Sequence, residues 1–134
     1  MTEGTMNQFY QHVQDKGQLR TPAHAQRWAN SVLRTLGLTL DRGTKKELSK
    51  ALPSELAAGL NQAFWLVHFR DKHLSSHDFQ RQVARRAGNS DPRFARIPVL
   101  GVFGGIKQLI NPDLSDRVAK SLSPEVRELW QQAQ

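Results

Sequence analysis

The sequence contains no cysteine. That excludes disulfides, thiol catalysis and thiolate metal sites, and it suits a cytosolic setting. Long apolar runs are also missing. The longest, Ile97 to Ile106, is about half of what a membrane-spanning helix needs. Met1 to Gln8 is polar and lacks the basic-then-apolar order of a secretion signal, so the expectation is a soluble, cytoplasmic protein. No strand-length alternation of apolar and polar residues occurs, which leaves the helical period as the organising signal. The glycines of the 97–106 stretch match no phosphate-binding pattern: there is no Gly-x-Gly-x-x-Gly and no Lys-Ser/Thr after them. His-Glu-x-x-His and Gly-x-Ser-x-Gly are absent as well. These absences point away from an enzyme, and no cofactor or metal is expected.

Acidic side chains are scarce beside basic ones: twelve Asp and Glu against nineteen Lys and Arg, a net charge of +7. Residues 1–70 hold nine basic and five acidic side chains, and residues 71–134 hold ten and seven, so the halves carry +4 and +3. Such a field attracts nucleic acid, anionic lipid or an acidic protein without choosing among them.

What the chain does have is an internal repeat. Shifted by 70 positions, it aligns with itself without a gap. Phe9 falls on Phe79, Val13 on Val83, Pro22 on Pro92, Ala25 on Ala95 and Val32 on Val102. Lys50, Leu52, Glu55 and Gln62-Ala63 fall on Lys120, Leu122, Glu125 and Gln132-Ala133. Near-matches such as Leu36/Ile106 and Leu48/Val118 keep the same register. Self-similarity at a fixed offset marks a duplicated structural unit. At 134 residues the chain suits one compact domain, long enough to bury roughly two-thirds of its unfolded surface. The expected fold is therefore all-α, one domain over 1–134, built from two pseudo-symmetric four-helix units at 5–67 and 75–133.

The helices are read from period and punctuation. Thr5 to Lys16 carries Met6, Phe9 and Val13 on one face, with Gly17 as its stop. Thr21-Pro22 opens a second helix reaching Leu40, because Thr caps and Pro suits the first helical position. Asp41-Arg42-Gly43 reads as a turn before a short helix that opens at Thr44 or its neighbour and bears Leu48 and Leu52. Pro53 opens a fourth, with Leu56, Leu60, Ala63, Phe64 and Val67. The second half repeats this. Ser76 caps a helix ended by Gly88, Asp91-Pro92 opens a long helix to Ile110, and Asn111-Pro112-Asp113 turns into a short one. Ser123-Pro124-Glu125 begins the last.

Two places depart from the repeat. Trp65 and Phe69 project opposite to Leu56 and Leu60, a second apolar face on one helix. That face either joins the two units or receives a partner. Ile97 to Ile106 carries no charge and should be surrounded by protein. Gly101, Gly104 and Gly105 let a neighbouring helix come close, with Ala29 and Ser31 of the second helix as the expected neighbour. Pro98 would kink the helix if it fell in the interior.

Three sets of residues are candidates for chemistry. Arg27 and Arg34 lie two turns apart on one helix, and Arg81, Arg85, Arg86, Arg93 and Arg96 fall close together in sequence. Arginine forks match phosphate oxygens, so these seven are the candidate anion-binding residues, with local pairs such as Arg81 and Asp78 as the alternative. His68, His73 and His77 cluster near Asp71 and Asp78, but a helix beginning at Ser75 or Ser76 would separate His73 from His77 and spoil a metal site. Glu55 and Glu125 occupy first-turn positions where a carboxylate favours the helix dipole.

Phe9-x-x-x-Val13, Trp28-Ala29-x-x-Val32-Leu33-x-x-Leu36 and Leu52-Pro53-x-Glu55-Leu56 together resemble the bacterial domain of unknown function 2267, over roughly residues 6 to 132. The second half departs from the pattern, since Leu122-Ser-Pro-Glu-Val126 moves the proline by one position. The resemblance implies a small helical protein of two such units and carries no assigned reaction. The functional expectation is a non-enzymatic interaction or scaffold module that binds another protein or itself. The alternative is a basic polyanion binder contacting nucleic-acid backbone or polyphosphate.

Overall fold

The computed structural model describes residues 2–62, 72–88 and 91–134. Trp65, Phe69 and His68 lie outside the described residues, as does Asp71. Among the described residues there are eight α-helices and no strand: α1 (Thr2–Lys16), α2 (Pro22–Thr39), α3 (Arg42–Ala51), α4 (Ser54–Leu60), α5 (Ser76–Arg86), α6 (Arg96–Leu109), α7 (Pro112–Ser121) and α8 (Pro124–Gln132). A 3-10 turn, Pro92–Ala95, leads into α6. The fold is all-α.

Most helix starts are fixed by a side chain that accepts one of the orphan first-turn N–H groups. Thr21 accepts from His24 N at 3.1 Å, Asn111 from Leu114 N at 2.8 Å and Ser123 from Val126 N at 3.4 Å. Two caps lie elsewhere than the sequence reading put them. Asp41 is itself the cap of α3, accepting from Thr44 N at 2.8 Å and Thr44 Oγ1 at 3.0 Å, so Arg42 and Gly43 are helical rather than turn. Ser75, not Ser76, caps α5, accepting from Asp78 N at 3.0 Å. Asp91 caps the 3-10 turn, and the long helix thus begins at Arg96 rather than Pro92. This places Pro98 in the first turn of α6, where its missing N–H breaks no helical bond.

Helix bounds recur 70 residues on: Arg42–Ala51 and Pro112–Ser121, with caps at Asp41 and Asn111 before them. Packing is crosswise. α1 lies on α6, and α5, its counterpart in sequence, lies on α2. α3 meets α7, and α2 meets α6. One apolar cluster runs through both halves, from Phe9, Val13, Leu33 and Leu36 to Phe79, Val102, Ile106 and Leu129. At one end Phe103 stacks edge-on against Trp130 at 5.1 Å and lies 5.7 Å from Phe79. Lys107 closes that end by donating to the Trp130 and Ala133 carbonyls, each at 2.9 Å.

The glycine stretch packs against α1, not against Ala29 and Ser31. A Cβ on Gly101 would lie 2.8 Å from Gly17 N and 3.2 Å from Val13 O, and one on Gly105 would meet the Phe9 ring at 2.9 Å. Ser31, which aligns with Gly101 at the 70-residue offset, makes the counterpart contact. Its Oγ donates to the Val83 carbonyl, and Val83 is the counterpart of Val13. One crossing uses a hydroxyl where the other uses a bare backbone.

Candidate functional site

Helix α1 does not end at Gly17 alone. Gln18 takes a left-handed backbone with φ of 54°, and the Leu19 N–H returns to the Gln14 carbonyl at 2.9 Å. This is the Schellman pattern that usually calls for glycine at the left-handed position. Seventy residues on, Gly88 supplies it at φ 83°. The reversal, held by Gln14 Nε2 on the Arg20 carbonyl at 3.2 Å, sets Leu19 and Arg20 at the surface.

Opposite them, the 3-10 turn buries Ala95 and turns Phe94 outward. Phe94 is 66% exposed and Ile97 41% exposed, the exposed large hydrophobics among the described residues. Between the two segments lies a cleft of about 540 Å³ lined by Gly17–Arg20, Trp28, Arg93, Phe94, Ile97 and Pro98. Trp28 is largely buried beneath it. The exposure of Ile97 corrects the expectation that the whole uncharged stretch is enclosed; enclosure starts at Pro98. Arg93 at the rim is folded onto Asp91, with Nη2 to Oδ2 at 2.9 Å and Nε to Oδ1 at 3.2 Å. The hydrogen bonds from Arg93 hold the Asp91 carboxyl below its ordinary pKa.

The seven candidate arginines do not form one face. Arg81 pairs with Asp78 at 3.1 Å, Arg93 with Asp91, and Arg96 Nη2 donates to Gln132 Oε1 at 2.7 Å. Arg27 is exposed on α2, two turns and about 10 Å of helix rise before Arg34. Only Arg34, Arg85 and Arg86 come together. Arg86 Nη1 donates to Thr35 Oγ1 at 3.1 Å, across the α2–α5 crossing. Partial burial, then repulsion from Arg34 and Arg85, lowers the Arg86 pKa.

A family model described as "Uncharacterized conserved protein (DUF2267)" matches residues 6–129. The chain belongs to that family. No curated protein matches it. The DUF2267 membership brings no assigned chemistry with it, so the arrangement of side chains has to carry the reading.

For a DUF2267 chain the remaining candidates have structural work to do. Among the described residues no three His, Cys, Asp or Glu side chains gather to hold a metal. Glu125 ties α8 to α5, its Oε1 accepting from Ser76 N at 2.9 Å and Ser76 Oγ at 3.1 Å. Glu55 contributes, after burial, to raising Tyr10 to a pKa of about 12. The sequence reading missed Leu19, Arg20, Phe94 and Ile97. Its only available signal was Phe94 and Ile97 lying three apart at the start of a helix, a spacing that core residues share.

Proposed function

We propose that this DUF2267 protein is a non-enzymatic interaction module that takes an acidic, amphipathic segment of a protein partner into the Leu19–Phe94–Ile97 cleft. The observation that carries the reading is the pair of large apolar side chains left in water beside a cleft floored by Trp28. Full burial of such a side chain is worth about 1.5–3 kcal/mol; the share still to be gained is larger at Phe94 than at Ile97, and a few such residues can dominate an interface. Arg20 at the margin favours a carboxylate on the incoming segment, whereas Arg93 is already paired with Asp91. No helix among the described residues is long and apolar enough to cross a membrane. The bacterial cytoplasm is the setting proposed for this work.

A photo-crosslinker placed at Phe94 tests the reading, with sedimentation over a range of protein concentrations alongside it. Crosslinks to one acidic partner, competed by unmodified protein but not by the Phe94→Ser/Ile97→Ser variant, support it. Concentration-dependent dimers that Phe94→Ser abolishes would make a second copy the occupant and refute an acidic partner. A strictly monomeric protein without adducts refutes the module itself. The competing reading is a basic surface following nucleic-acid backbone or polyphosphate. It predicts duplex binding that falls steeply with salt.

A further inference from the structure

The α2–α5 crossing has a feature that packing does not require. Arg85 and Arg86 stand in the last turn of α5, where cations offset the helix dipole. That accounts for neither Arg34, within α2, nor the reach of Arg86 across to Thr35. The counterpart crossing of α1 on α6 shows what the packing needs. The positions 70 residues away from Arg34, Arg85 and Arg86 are Gly104, Asp15 and Lys16. The same helix contact is therefore made elsewhere in the chain with a net charge near zero, while here Arg86, bonded across the crossing to Thr35, has Arg34 and Arg85 near enough to repel it.

Among the described residues no carboxylate pairs with them. The ion pairs formed among the described residues are Lys50–Glu47, Arg81–Asp78 and Arg93–Asp91, and none includes Arg34, Arg85 or Arg86. The single bond from Arg86 to Thr35 uses one of five guanidinium donors. Thr35 in turn spends its own proton on the Ser31 carbonyl at 2.8 Å, so its oxygen orients the Arg86 fork from behind. Ser31 is fixed to Val83 of α5. The scaffold that aims Arg86 is thus rigid on both helices, while its remaining donors, together with Arg34 and Arg85, face solvent.

We propose that Arg34, Arg85 and Arg86 form a binding site for a phosphate-type dianion, a phosphate monoester or pyrophosphate group. Planar forks with unused donors bind such oxygens in bidentate fashion. A group carrying two charges neutralises most of the local excess, which a single carboxylate would not do. The site is separate from the cleft and does not depend on it.

Inorganic pyrophosphate is the probe, titrated by calorimetry at constant ionic strength against the whole chain. The expected result is saturable one-to-one binding. Arg34→Gln and Arg85→Gln should each weaken it by about tenfold or more, the scale of one charge-assisted hydrogen bond. Neither side chain bonds to the rest of the protein among the described residues, so a loss of binding there is not a loss of fold. Arg27→Gln and Arg96→Gln serve as charge-matched controls and should leave affinity unchanged. A phosphoserine peptide and a nucleoside monophosphate, run in parallel, distinguish the source of the group by which binds more tightly. No saturable binding at millimolar pyrophosphate overturns the proposal. Equal losses from all four variants, or a DNA duplex that binds far more tightly with a steep salt slope, would instead indicate diffuse attraction and also overturn it.

Discussion

Gly101→Ala should destabilise the protein even though alanine is the better helix former. The added Cβ would lie 2.8 Å from Gly17 N, 3.1 Å from Gly17 Cα and 3.2 Å from Val13 O. All three are backbone atoms, so no side chain can swing aside; α1 and α6 have to separate. Relief to ordinary contact needs a movement of several tenths of an ångström, and α6 makes further close approaches nearby. A Cβ on Gly104 would lie 2.6 Å from the Gln134 backbone and 3.0 Å from His12 Nε2, and one on Gly105 would lie 2.9 Å from the Phe9 ring. Overpacking costs about 1–3 kcal/mol; a clash with backbone that cannot swing aside falls in the upper half of that range, about 2–3 kcal/mol, against about 1 kcal/mol gained in helix propensity. The net expectation is a loss of about 1–2 kcal/mol, or about 4–8 °C in Tm for a chain of this size. Gly43→Ala is the matched control: its Cβ meets only Asp41 Oδ1, at 3.6 Å, so it should be neutral or stabilising by less than about 1 kcal/mol. Urea unfolding followed by circular dichroism reads both. A Gly101→Ala protein as stable as the parent, or a Gly43→Ala protein that loses as much, would refute the close-approach argument.

Gln18→Gly should raise the urea midpoint by the equivalent of about 0.5–1 kcal/mol. It removes the left-handed penalty at φ 54° while adding chain entropy to the unfolded state. Asp41→Ala removes the cap of α3 with its bonds to Thr44 N and Oγ1 and should cost about 1 kcal/mol by the same measurement. A third expectation concerns pH. The His12 Nε2 atom is buried, with the Gln134 backbone as a polar neighbour but no well-formed hydrogen bond among the described residues. Burial first, and Lys16 second, hold its pKa below the ordinary 6.5, outweighing the opposite pulls of Asp15 and the Gln134 backbone. The unfolded chain therefore takes up a proton that the folded chain resists. Stability contributed by neutral His12 is intact above pH 6.5 and declines as pH falls from there toward the lowered folded pKa. His12→Gln should flatten that slope between pH 7 and 5 in thermal melts, and an unchanged slope would remove His12 as its cause.

Much of the fold was legible because helices write themselves locally. Thr21-Pro22 and Ser123-Pro124 carry cap and first turn in adjacent residues, and Leu48, Leu52, Leu56 and Leu60 mark buried faces by period. The errors share one physical cause. A glycine records that something comes near but not what, so Gly101 could not announce Gly17, which lies far off in sequence. A left-handed Gln18 has no signature, because the Leu19–Gln14 bond that enforces it is a property of the finished chain. Ser75 and Ser76 are both able caps, and only the path of the preceding residues selects one. The candidate sites were less legible still. Ile97 reads as core and Phe94 carries no signature, until the 3-10 turn points Phe94 outward and the start of α6 leaves Ile97 in water. Seven arginines look like one surface until pairing with Asp78 and Asp91, and the α2–α5 crossing, sort them into occupied and unoccupied.

The crosswise packing of α1 on α6 and α5 on α2 makes the two halves mutual chaperones rather than neighbours. A fragment ending in the middle of the chain would carry α1 without its cover and α2 with one flank bare, so a nick there should release sticky pieces instead of two working miniatures. The same interleaving allows two molecules to trade halves and rebuild every native crossing between chains, which makes concentrated refolding the condition under which intertwined pairs should form.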